Sequence, residues 1–123
     1  MKYMLLVHHD QETHALRSQA ERDGLLQESV QLCNQLHASG KYLGAAPLHH
    51  SSETTCVKVR DGKRVITDGP FAETREQIGG YFLVEAKDRD EAIAIAAQIP
   101  GARIGTVEVR PVREVEGLPE AWR

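Results

Sequence analysis

The stretch Tyr3-Met4-Leu5-Leu6-Val7-His8 constrains the fold more than any other, because it is apolar on both faces once extended. A strand of that kind belongs at the centre of a sheet. One face lies under the chain's own helices and the other under further cover or a partner subunit. Two helical patterns can supply the cover. Ser18-Gln19-Ala20-Glu21 matches a capping box, and beyond it Leu25, Ser29, Leu32 and Leu36 share one face, flanked by Leu26 and Cys33. Gly40 reads as the C-terminal stop. The spacing predicts a long amphipathic helix over 18–39, with a start as early as Thr13. The second pattern opens on Asp88-Arg89-Asp90-Glu91, sets Ala92, Ile95, Ala96 and Ile99 on one face, and stops at Pro100-Gly101.

Strands fill the remainder. Tyr42 to Ala46 reads as a second strand, ended by Pro47. Thr54 to Arg60 and Lys63 to Thr67 flank Asp61-Gly62, a dipeptide that tolerates positive φ at both central positions of a tight turn. Lys58, Arg60, Lys63 and Arg64 charge this hairpin heavily, which places it at an edge or projecting. In the next strand, Ile78 to Ala86, Gly79-Gly80 marks a bulge or a close approach of backbone or ligand. In Ile104 to Val112, Val107 and Val109 alternate with Glu108 and Arg110, the pattern of a half-buried final strand. The order is β-α-β, an inserted hairpin, then β-α-β. This is one α+β domain over 1–112, followed by a charged tail over 113–123 that carries Leu118 and Trp122. If both helices cover one sheet face, the other stays open. A domain of 123 residues tends to close such a face with a second copy, on which the tail is expected to dock.

Charge and cysteine usage narrow the setting. Fifteen basic residues stand against 18 acidic ones, a net charge of -3, so direct nucleic-acid binding is not expected. No apolar run is long enough to span a membrane. The N-terminal apolar stretch is short and lacks a small-residue cleavage site, so it reads as a strand rather than a signal peptide. With only Cys33 and Cys56, in no C-x-x-C pattern, a cytoplasmic protein is expected.

The most distinctive segment is Asp68-Gly69-Pro70-Phe71-Ala72-Glu73-Thr74-Arg75-Glu76-Gln77-Ile78-Gly79-Gly80-Tyr81. Together with the opening Met-Lys-Tyr-Met-Leu-Leu, the helix ending at Ile99-Pro100-Gly101 and Val107-Glu108-Val109-Arg110-Pro111, it resembles the DGPF branch of the YCII-related family over most of the chain. Members typically carry Lys where Arg75 stands. The resemblance implies a ferredoxin-like fold, an antiparallel sheet with two helices on one face, pairing into a dimeric α+β barrel. The wider superfamily holds both enzymes and ligand-sensing domains, and DGPF proteins have no settled activity, so the fold alone chooses no function. Their association with extracytoplasmic-function sigma factors adds a sigma factor as a candidate partner. Other YCII-related proteins are described with a His–Asp pair on the first helix. Here Ser29 and Ala38 occupy those positions, and neither replaces the pair as an acid–base unit.

Asp68, Glu73 and Glu76 bring three carboxylates and Arg75 into one loop beside Phe71. Burial against the ring would raise a carboxyl pKa and Arg75 would lower it. Asp68 is therefore the candidate base or anchor, and Phe71, Glu73, Arg75, Glu76, Gly79, Gly80 and Tyr81 are candidate ligand contacts. The same residues are also ordinary turn chemistry, in which Asp68 bonds the backbone, Gly69 and Pro70 set the turn, and Phe71 plugs the core. His8-His9 end the first strand and His49-His50 follow the second, near one sheet edge if those strands run parallel. Adjacent strand residues point to opposite faces, so one of each pair is lost to any single site. His8 or His9 is the candidate proton carrier, with Asp68, in catalysis. No spacing matches a zinc motif, and neither a metal nor a cofactor is expected. Two functions fit. One is a small cofactor-free enzyme performing proton transfer or hydrolysis on a small organic molecule near the Asp68 motif. The other is a non-catalytic ligand-binding or regulatory module.

Overall fold

A computed structural model describes residues 1–119, so the tail docking expected of Trp122 lies outside the described residues. The elements are β1 (Lys2–His9), α1 (Gln11–Ala15), α2 (Gln19–Ala38), β2 (Tyr42–Pro47), β3 (Thr55–Arg60), β4 (Lys63–Asp68), β5 (Gln77–Glu85), α3 (Arg89–Gln98), α4 (Gly101–Ile104) and β6 (Gly105–Pro111). A single 3₁₀ turn, Ser51–Glu53, precedes β3. The main sheet has the order β2-β5-β1-β6, and every neighbouring pair is antiparallel. β1 therefore lies inside the sheet. β1 and β2, both antiparallel to β5, run parallel to each other and are joined across one face by α2. This α+β arrangement is compatible with a ferredoxin-like fold.

The core forms on that face. Tyr3, Leu5 and Val7 of β1 and Phe82 and Val84 of β5 meet Leu32 and Leu36 of α2 and Ala92, Ile95, Ala96 and Ile99 around α3. Leu5 has no exposed surface. The alternate residues of β1, Met4, Leu6 and His8, are only half-buried on the opposite face.

Caps set the helix limits. Ser18 Oγ accepts the Glu21 N–H at 3.1 Å, and the extended backbone of Ser18 stops any helix arriving from before it. The helix therefore does not begin near Thr13. Asp10 instead caps the separate one-turn α1. At the far end Gly40 takes φ 73°, and Lys41 N donates to Leu36 O at 2.8 Å, closing α2 with a Schellman turn. Asp88 Oδ1 accepts the Glu91 N–H at 2.9 Å and starts α3. α3 stops just before Pro100-Gly101, as its sequence suggests, but a further short helix follows. Ile99 is extended and breaks α3, and Pro100, which needs no N–H partner, caps the short α4. Arg103 of α4 donates two bonds of 2.9 Å to the Glu28 carboxylate and ties α4 to α2.

β3 and β4 form a separate two-stranded sheet around Asp61 (φ 52°) and Gly62 (φ 73°). Almost every residue of it is exposed, including Val57, Val59 and Ile66.

Candidate functional site

The two glycines of β5 shape the end of β1. Val7 pairs with Gly80 and His8 with Ile78, so Gly79 is left over as a bulge. A β-carbon on Gly79 would collide with the His9 imidazole, so that ring rests directly on the bulge. A β-carbon on Gly80 would lie 2.9 Å from Ala46 O and 3.3 Å from Pro47 Cα, where β2 approaches β5. The His9 ring also meets His14 of α1 edge-on, with centroids 4.8 Å apart. Burial, then the neighbouring His14, hold the His9 pKa below its ordinary value. Arg17 adds to the effect, while Glu76 and Asp10 oppose it. His9 is therefore neutral at pH 7, with one ring nitrogen free to accept a proton.

His9 reaches a cavity of about 560 Å³ between α2 and the β2–β5 side of the sheet. Leu26, Val30 and Cys33 of α2 form one wall, and Val7, Ala46, Phe82 and Ile99 contribute apolar surface from the other side. Ser29, Asn34, His37 and Tyr42 supply the remaining polar groups. The Ser29 hydroxyl donates to Leu25 O at 3.2 Å, and burial pushes the Cys33 thiol pKa up. Gly79, Gly80 and Tyr81 line the same space.

A second cavity, of about 680 Å³, lies beside the motif loop, among Asp10, Glu12, His50, Gly69, Pro70, Glu73 and Arg75. Asp10 Oδ1 accepts from Glu12 N at 3.1 Å and Thr13 N at 3.2 Å, and Oδ2 lies 3.3 Å from Arg75 Nε. The Thr13 N–H, with Arg75 and the Glu12 N–H behind it, holds the Asp10 pKa below the usual carboxylate range. Gln11 is buried, and its Oε1 accepts the Ser51 N–H at 2.9 Å, joining α1 to the 3₁₀ turn.

The candidate residues thus separate. His9, Gly79, Gly80 and Tyr81 reach the first cavity, and Glu73 and Arg75 the second. Asp68 pairs with Thr55 at the exposed end of β4 and lines neither cavity. Glu76 accepts from Thr106 Oγ1 at 2.8 Å. Phe71 does not plug the core: it is 90% exposed. The loop around it is held by polar bonds instead, with Gln77 Nε2 donating to Ala72 O at 3.0 Å and Thr74 O at 2.9 Å. His8 points to the other sheet face, 3.0 Å from Glu108 Oε1. His49 lies 3.4 Å from Glu53, and His50 caps the 3₁₀ turn. The histidine pairs therefore do not converge. Among the described residues, no group of three or more His, Cys, Asp or Glu is placed to hold a metal ion. The α2 stripe Leu26, Val30, Cys33 and His37 is a cavity wall that patterning misses as a site. Its signal is an apolar stripe beside the core face, at helical spacing.

Residues 1–116 match the YCII-related domain. The chain is also 28% identical over 114 residues to an uncharacterized protein from Rhizobium meliloti (strain 1021), an alignment covering 91% of this chain and 92% of that one.

Proposed function

The chain belongs to the YCII-related domain family, and we propose that it binds a small, largely apolar organic molecule between α2 and the sheet, with His9 as the group that exchanges a proton with it. The observation that carries this reading is a neutral imidazole, fixed by a glycine bulge and a second ring, at the wall of an apolar cavity of about 560 Å³. A base with a pKa at or below neutrality is available at working pH without an activating metal. Ser29, at the position where relatives are described with a histidine, lines the same cavity, which supports its use as a ligand site. Asp68 lies outside this cavity, and that favours proton transfer over hydrolysis by the motif. We further place the chain in the DGPF branch on its Asp68-Gly69-Pro70-Phe71 segment, and in the cytoplasm as a homodimer that covers Met4 and Leu6.

The test is a thermal-shift screen of neutral aromatic fragments, with Val30→Trp as the control that fills the cavity from the exposed side of α2. Fragments should raise the melting temperature of the wild type and not of the variant. Shifts that survive Val30→Trp would remove the cavity from the account. A second reading, a non-catalytic module that meets a protein partner such as a sigma factor, is favoured by the exposed Phe71 and the cationic hairpin. Ligand binding without turnover, with a sigma factor recovered by pull-down from the native host, would select it.

A further inference from the structure

The cavity between α2 and the sheet is chemically one-sided. None of the residues lining it is Lys, Arg, Asp or Glu. A carboxylate or phosphate bound there would leave water without a counter-charge, and a cation would fare no better. Its half-buried polar groups are few. Ser29 has already committed its hydroxyl hydrogen to Leu25 O at 3.2 Å, so toward the cavity it offers lone pairs. His9 makes no hydrogen bond among the described residues. Its ring is held by packing alone, against the Gly79 bulge and edge-on to His14 at 4.8 Å. Asn34 and His37 are exposed at the mouth, where water competes for them. Tyr42 adds a half-buried hydroxyl that can donate or accept, so the inner wall is uncharged and mostly apolar, with the acceptor nitrogen of His9 as its fixed polar point.

We infer that the cavity selects an uncharged, mostly apolar molecule carrying one hydrogen-bond donor, a hydroxyl or an N–H, directed at the free ring nitrogen of His9. This rests on reading the cavity as the ligand site and adds the charge and polarity of what enters it. A donor left without its partner in such a site loses more than an apolar surface of equal size gains, so the preference is built by His9 rather than by shape. The fixed ring also limits the entropy lost when that bond forms.

Three probes of one shape test the inference: naphthalene, 2-naphthol and 2-naphthoate, titrated calorimetrically at about pH 7.5, where only the last is charged. The expected result is that 2-naphthol binds about tenfold more tightly than naphthalene, and that 2-naphthoate binds more weakly than either. His9→Phe should erase the advantage of 2-naphthol while leaving naphthalene binding in place. Equal affinity for naphthalene and 2-naphthol would overturn the inference and leave the cavity as the ligand site. Preferred binding of 2-naphthoate would overturn it as well. Binding of none of the three would remove both. The wild-type comparison decides the matter even if His9→Phe folds poorly, and an advantage that survives in a folded His9→Phe also counts against it.

Discussion

The end of β1 and the segment from β3 through the motif loop use similar residues to opposite ends. At the end of β1, Val7 and His9 are pressed among glycines and helix side chains, and even an imidazole is held by packing. In the segment from β3 through the motif loop, Val57, Val59, Ile66 and Phe71 are as apolar but stand in water. A two-stranded ribbon is marginal by itself, so its apolar face has value only where something else covers it. The contrast teaches that the most recognisable motif and the most chemically prepared group are in different places. The motif loop meets Asp10 through Arg75, while the His9 imidazole faces the other cavity.

The contrast can be broken most sharply in stability. Leu5→Ala should cost about 3–5 kcal/mol, because a fully buried side chain leaves a void, while Ile66→Ala should change stability by about 0.5 kcal/mol or less. Urea unfolding measures both, and a large cost at Ile66 would mean that the hairpin is covered in solution. Gly80→Val comes next, at about 2–4 kcal/mol, since the new carbon would press on the Ala46 carbonyl of β2. An unchanged calorimetric melting temperature would contradict the close approach of the two strands.

A smaller effect is expected from acid. His9 and His14 both have pKa values lowered from 6.5, His9 by burial and then His14, and His14 by burial and then Arg17 and Arg22. Below about pH 6.5 the unfolded chain binds protons that the folded chain refuses, so stability is full above that value and falls as the pH drops toward the folded values. Glu76 and Asp10, which also face His9, moderate the fall. His9→Phe should flatten the slope of melting temperature against pH between about 7.5 and 5.5, and an unchanged slope would count against a buried neutral ring. The smallest effect is at the motif. Asp68→Asn and Arg75→Ala should leave 2-naphthol affinity unchanged by titration, because neither side chain lines the first cavity and Arg75 is 88% exposed.

Much of the fold is legible from local chemistry. Ser18 and Glu21, Gly40, Asp61-Gly62, Asp88 and the Ala92–Ile99 face each act through neighbours a few residues away, so their roles are written in the spacing. The break between α1 and α2 escapes because a helical pattern continues through Leu16 and Arg17 while the Ser18 backbone does not. The orientation of Phe71 escapes because it depends on the polar bonds of Gln77 across the loop, not on the ring. Of the site, His9 and the Gly79-Gly80 bulge are visible in the sequence. The cavity is not, since its walls come from α2, β2 and β5, which are far apart in the sequence and meet only in the folded chain.

The first cavity is lined by His9 and, at its mouth, His37, and the second by His50, so one spectrum can compare them. The most direct test is to follow the imidazole nitrogen resonances of the histidine-labelled protein while 2-naphthol is added. The His9 signals should move with saturation and the His8 and His50 signals should stay in place. Movement of His50 with His9 unchanged would put the ligand beside the motif loop and contradict the account.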